Sequence, residues 1–309
     1  MKSKTWLALF TLYIVWGSTY LAIMFAVQTI PPFISAGIRF LISGIILLVW
    51  RRLAKDPRPT RIQWRSAAIV GMLLLVGGNG LLSWSEQRIP SGVAALLIGT
   101  VPLWLVLIEA LRPGGTKPTW QSILGLAIGF AGIVVLIGPA EFSGGRGQFD
   151  MLGILVCLLA AFFWSFGSIY GRSADLPNSA LMSTGMEMLV GGIGLFVLAT
   201  LTGEWRSFSV AAISSKSLYG LTYLIMVGSL AGFVSYAWLL RNAPVSLVAT
   251  YAYVNPLVAI LLGSMLASES LTPRIIIAAV VIIGSVVLIN ISKKGKVVLH
   301  EEAAGIAAE

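Results

Sequence analysis

The chain repeats itself, and each copy carries an odd number of apolar segments. Trp16, in the first apolar segment, lies 148 residues before Trp164 in the sixth. At that offset Gly37 falls on Gly185, Arg39 on Glu187 and Gly44 on Gly192. Further along, at an offset of 154, Trp84 falls on Trp238, Pro90 on Pro244 and Pro102 on Pro256. Ten apolar runs are present, at about 6–26, 33–50, 66–84, 91–111, 119–138, 151–170, 180–201, 217–239, 246–267 and 274–292. Each is near the ~20 residues needed for a helix to cross a hydrocarbon core of ~30 Å. Five crossings per half is odd, so the second half must enter the membrane in the opposite sense. Inverted repeats around a midplane site are a common construction among secondary transporters. The expected fold is an all-α integral membrane protein, with ten transmembrane helices as two inverted five-helix repeats. The first repeat is 1–140, the second is 150–295, and 296–309 is a cytoplasmic tail expected to fray.

Composition leaves no room for a separate soluble domain. The 309 residues are 57% hydrophobic and 11% charged, against ~25% charged in a typical soluble chain. The first run follows Lys2 and Lys4 as a signal peptide would. It is too long for an ordinary signal core and lacks a small-residue cleavage site, so it reads as a span.

A net charge of +9 raises the question of nucleic acid, and its distribution answers it. With the N-terminus inside, the inner side collects Lys2, Lys4, Arg51, Arg52, Lys55, Arg58, Arg61, Arg65, Arg112, Lys117, Arg172, Arg241, Lys293, Lys294 and Lys296. The outer side collects Arg88, Arg146, Arg206, Lys216 and Arg274. This asymmetry follows the positive-inside rule, places both termini in the cytoplasm and removes the need for a nucleic-acid partner. The single cysteine, Cys157, cannot form an intrachain disulfide.

Two charges lie well inside spans, where each costs at least ~2.5–3.5 kcal/mol on insertion scales and is a functional candidate by default. Arg39 lies about 10 Å below the outer surface and Glu187 about 10 Å above the inner one, at 1.5 Å per helical residue. They occupy equivalent repeat positions with opposite charge. The difference in depth opposes a direct pair unless the helices tilt strongly or a wet cavity joins them. Each either serves solute or proton binding, or is tied to polar groups of neighbouring helices. Glu187 is also the candidate proton carrier. Glu109, near an inner helix end, reads as a boundary charge beside Arg112.

Polar and aromatic residues gather at mid-span. The first run holds Trp16, Ser18 and Tyr20; the third holds Asn79 among glycines, then Trp84 and Glu86 toward the outer face. Pro102, Trp164, Tyr236, Tyr251, Asn255 and Pro256 complete the set. Mid-span prolines free carbonyls that need a cavity or a neighbouring helix, so Pro102 and Pro256 mark the expected binding region. Trp16 and Trp164 are too deep to be interface anchors and serve either packing or binding. Asn79 either lines a cavity or bonds another helix. Gly125, Gly129 and Gly132 form a close-packing face on the fifth span.

The spans contain no His and no Lys. A Ser–His hydrolase, a His-ligated metalloprotease and a retinal Schiff base are unsupported. No channel filter or ring of charges is visible. Nothing calls for a cofactor or metal.

At these residues the chain resembles the EamA-type exporters of the drug/metabolite transporter superfamily. The resemblance rests on WGSTYLAI at 16–23, PPFISAGIRFLISG at 31–44 and GNGLLSWSEQRIPSGVAALLIGTVPLW at 78–104. In the second half it rests on Ala243-Pro244, Tyr253-Val254-Asn255-Pro256 and Glu269. It implies ten helices in two inverted repeats, a central cavity lined mostly by the first four helices of each, and peripheral fifth and tenth helices. It also implies export of small metabolites such as amino acids or amines across a bacterial inner membrane. A lipid flippase of the same fold is the alternative. Glu269 follows the family's usual acidic end of the ninth helix, whereas the first half has Leu111-Arg112-Pro113-Gly114-Gly115 there, so the halves need not play symmetric roles. The expected partners are a small-molecule solute, the bilayer and protons as a coupling ion, with a monomer or a homodimer as the assembly. In this reading Arg39 holds a carboxylate, Glu187 a cationic group or the coupling proton, and Trp16, Trp164, Tyr236 and Tyr251 form aromatic walls.

Overall fold

Helix follows helix along the whole chain. The structure is a computed structural model that describes residues 3–115, 117–138, 149–243, 245–248 and 250–306. The linker segment 139–148 and Pro244 lie outside the described residues. The elements are α1 (Ser3–Ala26), α2 (Pro32–Leu53), α3 (Arg61–Ser85), α4 (Ser91–Leu111), α5 (Trp120–Ile137), α6 (Met151–Ser173), α7 (Ala180–Leu201), α8 (Ser215–Leu239, continuing helical to Asn242), α9 (Tyr251–Ala267) and α10 (Pro273–Ile306). No strand occurs among the described residues. Local sequence sets most starts. Thr60, Thr119, Asp150, Ser179 and Ser214 each accept a hydrogen bond from a backbone amide in the first turn, as N-caps do. α2 and α4 are different: Pro31 and Pro90 stand at their caps and supply no side-chain acceptor.

The ninth expected span is not one helix. Nine helices among the described residues are long and apolar enough to cross a membrane, and Tyr251–Ala267 is a shorter apolar tenth. It is preceded by a separate turn, Val245–Val248, and begins on Thr250. The Thr250 hydroxyl is bound to the Leu247 carbonyl and to Tyr13 of α1. α4 is interrupted likewise, between Ser91–Ile98 and Val101–Leu111. There Pro102 lacks the amide that would continue the ladder, and Ser165 of α6 donates to the Val101 carbonyl at 3.1 Å. The second half departs from the proline expectation: Pro256 sits inside continuous helix, six residues past the interruption. α10 runs on through the Ala- and Glu-rich end to Ile306, whose residues are good helix formers.

Both third helices of the halves carry a wide-turn π segment, Met72–Gly80 in α3 and Leu224–Ala231 in α8. The helices pair across the halves. α2 packs on α7 and α5 on α10; α1 packs on α8 and α9, and α6 on α3 and α4. At the α2–α7 crossing, a Cβ on Gly44 would lie 2.6 Å from the Leu189 nitrogen, and one on Gly192 would lie 2.7 Å from that of Leu41. Gly37 faces Phe196 and Gly185 faces Leu48, so the two helices run antiparallel where they touch. Gly125, Gly129 and Gly132 press α5 onto Ile289, Ser285 and Ile282 of α10, the contact their spacing predicts.

This packing gives a direct test. Gly44→Ala drives a methyl into immobile backbone and is expected to destabilise the protein by ~1–3 kcal/mol. Gly284→Ala, which meets nothing within 4 Å, is expected to be neutral or stabilising by up to ~1 kcal/mol. Thermal unfolding in detergent reads both, and equal behaviour would remove the crossing from the fold's determinants.

Candidate functional site

α8 places two glycines one turn apart, Gly228 in its π segment and Gly232 just past it, on the face toward α1 and α2. Beside Gly228 lie Thr19 of α1 and the Arg39 guanidinium, whose Nη2 would sit 3.6 Å from an added Cβ. Beside Gly232 lies the Trp16 ring, whose Nε1 would sit 2.5 Å away. Without side chains at these positions, α8 lets a cation and an indole share one strip. π segments recur at functional sites because they re-aim side chains and leave room for ligands.

Arg39 is 6% exposed. Its Nε donates to Ser229 Oγ at 2.9 Å, and its guanidinium lies 4.7 Å from the Phe40 ring centre. Among the described residues nothing accepts from its two terminal nitrogens. A buried guanidinium held at one edge keeps its fork available for a carboxylate, the ligand that its planar donors fit.

Trp16 lies at the centre of an aromatic cluster. Its ring is 5.4 Å from Phe233, 5.2 Å from Tyr236 and 5.0 Å from Tyr251. Asn255, with its amide turned to satisfy both neighbours, donates to the Tyr251 carbonyl at 3.1 Å and to the Tyr13 carbonyl at 3.3 Å. Pro256 touches the interruption of α4 at Gly99. Ser18 donates to the Val15 carbonyl and meets the Tyr223 hydroxyl at 2.6 Å. Tyr20 is buried. Arg39, Trp16, Tyr236, Tyr251 and Asn255 are thereby gathered on α1, α2, α8 and α9.

The remaining expected residues stand elsewhere. Trp164 lies against Gly78 in the α3 π segment, the counterpart of Trp16 against Gly232 at offsets 148 and 154. It joins no ring contact with the Trp16 cluster. Asn79 reaches back to the Leu74 carbonyl of its own π segment at 3.5 Å. Trp84 carries the Arg88 guanidinium 4.4 Å from its ring centre. Pro102 stands half-buried at the α4 interruption. Glu187 is half-buried and accepts from Ser183 Oγ, one turn earlier on α7, at 3.1 Å. Arg39 and Glu187 form no ion pair.

Phe233, Ser229 and Glu204 entered only with the tertiary structure. Phe233 and Ser229 complete the cluster and the Arg39 seat. Glu86, just past α3, is 3% exposed, and Arg39 and Tyr20 lie within its electrostatic reach. Two other acids tie the halves together. The Glu269 carboxylate accepts from the Ser91 amide at 2.7 Å, the Ser91 hydroxyl at 2.8 Å and the Gly92 amide at 3.1 Å. Glu204 accepts from the amides of Phe33 at 3.2 Å and Ile34 at 3.0 Å. They cap α4 and α2, the two helices whose own caps are prolines. Partial burial pushes the Glu204 carboxyl up, and the two amides pull it part of the way back.

The sequence pattern of the EamA-like transporter family matches residues 3–138 and 151–291. The chain is 38% identical over 288 residues to the "Uncharacterized inner membrane transporter YedA" of Escherichia coli strain K12, covering 93% of this chain and 90% of that protein. It is 28% identical over 282 residues to "Protein PecM" of Dickeya dadantii, covering 89% of each. A crystal structure superposes with a TM-score of 0.61 at 23% identity, covering 93% of this chain and 96% of that one, which is a likeness of fold.

Proposed function

Because the chain belongs to the EamA-like transporter family, and is thus a membrane transporter, we propose that it exports small metabolites, amino acids or related amines, across the bacterial inner membrane by alternating access. The observation that carries this reading is the seat of Arg39: a buried guanidinium with a free fork, one helical turn along α8 from the Trp16 cluster. Such a site offers a carboxylate a charge-assisted pair and an apolar or cationic group an aromatic wall. Glu187 balances the cationic end of a zwitterion or amine. Trp164, Asn79 and Pro102 line the first-half side, with Ser18, Tyr20, Trp84 and Pro256 at the margins.

Two inverted repeats support the alternating mechanism. In their favour, exchanging each first-half helix for its second-half counterpart maps the observed helix pairs onto themselves. The Gly44–Leu189 contact likewise becomes the Leu41–Gly192 contact at an offset of 148. The two family matches also begin 148 residues apart. Both termini lie in the cytoplasm, by the excess of Lys and Arg in the loops on that side.

The test is transport by purified protein in liposomes, with a labelled panel of amino acids and amines, with and without a pH gradient. Movement of a few panel members is the expected result, and acceleration by the gradient adds proton coupling. Movement that ignores the gradient indicates a uniporter. No movement of any member, with labelled lipid flipped instead, replaces the reading by a flippase. Within this assay Glu187→Gln is expected to weaken uptake of cationic members by ~10-fold or more, as a lost charge-assisted bond would. Unchanged uptake of every member would return Glu187 to a packing role.

A further inference from the structure

Glu86 takes no part in the site described above, and its surroundings are unusual for a carboxyl. Neither of its oxygens has a hydrogen-bond partner among the described residues; the Met24 backbone of α1 faces it outside hydrogen-bonding geometry. The titratable and charged groups around it are Tyr20 on α1, Arg39 on α2, Cys157 on α6 and Glu269 beyond α9. An ionised carboxylate sealed away without donors costs several kcal/mol. Glu269, fixed on the α4 N-terminus, adds a carboxylate nearby. Arg39 opposes both effects, but its guanidinium makes no hydrogen bond to either Glu86 oxygen.

We infer that Glu86 is the proton-binding group of the transport cycle, and that the outer side closes over it only when it carries a proton. The inference rests on the transporter reading. Closing Glu269 and Glu204 onto α4 and α2 dries the Glu86 pocket, so closing over a neutral acid avoids burying a charge. Opening the outer side lets water reach the carboxyl, which then exchanges its proton there. Closing the outer side therefore takes up one proton from outside. Export by exchange is completed when the inner side opens, water reaches Glu86 from the cytoplasm and the proton leaves there before the outer side reopens.

The deciding experiment is infrared difference spectroscopy of the full chain in liposomes during a pH titration, reading the protonated-carboxyl C=O stretch. The expected result is a protonated-carboxyl component at neutral pH that disappears in Glu86→Gln and persists in Glu187→Gln. Glu86→Asp keeps the component with a shifted midpoint, which serves if the Gln variant folds poorly. A neutral-pH component unaffected by Glu86→Gln, or none in the wild type, overturns the inference. In the liposome panel, Glu86→Gln is expected to abolish acceleration by the pH gradient while leaving gradient-free exchange; retained acceleration overturns it. If the wild type moves no panel member, the proposed substrate class fails, and the infrared result still decides whether Glu86 holds the proton.

Discussion

Arg39→Leu is expected to leave a folded protein that no longer moves carboxylate-bearing members of the panel, with a loss of about a hundredfold or more. Removing one partner of a buried, hydrogen-bonded charge pair costs ~2–5 kcal/mol in binding, and the carboxylate would lose the guanidinium fork. Arg39→Lys is expected to fall between, because an ammonium restores a point charge without the two parallel donors. Stability should move little or rise, since a leucine removes a desolvated cation from the interior. Thermal unfolding and panel uptake, measured together, separate the two effects. Carboxylate uptake at the wild-type level in a stable Arg39→Leu protein would take Arg39 out of the site.

The second large effect concerns the outer closure. Glu269→Ala removes the acceptor of three hydrogen bonds on α4, whose own cap is Pro90. A lost cap costs ~0.5–2 kcal/mol and a charged hydrogen bond ~1.5–3 kcal/mol. A shift of ~2–3 kcal/mol toward the outward-open state would raise its population relative to the closed state by roughly 30–150-fold. Val93, 1% exposed beneath this cap, reports the change. In a Cys157→Ser background, Val93→Cys should react with an impermeant thiol reagent much faster once Glu269 is removed. Glu204→Gln should give a smaller increase, as its two bonds are longer on average. An unchanged labelling rate in Glu269→Ala would mean that the cap only builds the helix and does not hold the side shut. At the opposite end the corresponding positions carry different residues. Gly115 stands at the Glu269 offset. Asp56, at the Glu204 offset, holds Arg51 at 2.6 Å, and α7 starts on its own Ser179.

Much of this molecule was legible before folding. A membrane span is a local property: ~20 apolar residues must satisfy their own backbone, and helix is the open-ended way to do it. Counting the runs gave the helices: nine among the described residues are long and apolar enough to cross a membrane, with a shorter apolar tenth. The spacing of Gly125, Gly129 and Gly132 anticipated a close-packing face on α5, because close helix approach demands small residues wherever it occurs. The α2–α7 crossing at Gly37, Gly44, Gly185 and Gly192 came only with the tertiary structure. Depth alone marked Arg39, Glu187, Trp16 and Trp164 as candidates.

Depth along a helix follows from residue number, but the direction a side chain faces in the bundle depends on how every other helix is turned. That is why Arg39 meets Ser229 and not Glu187, and why Trp164 stays outside the ring cluster that gathers Phe233. It is also why α9 begins at Thr250, whose hydroxyl finds Tyr13 of α1, and not at Pro256. Glu86 reads in sequence as a polar residue at a helix end, where water would ordinarily solvate it. Its 3% exposure comes from packing between distant segments, as do the cross-half caps by Glu269 and Glu204, contacts between residues at least 170 positions apart. The sequence by itself determined the helices, since the bilayer requires each apolar segment to satisfy its own backbone. The tertiary structure decided which polar groups face one another, since that depends on packing between segments that no local pattern encodes.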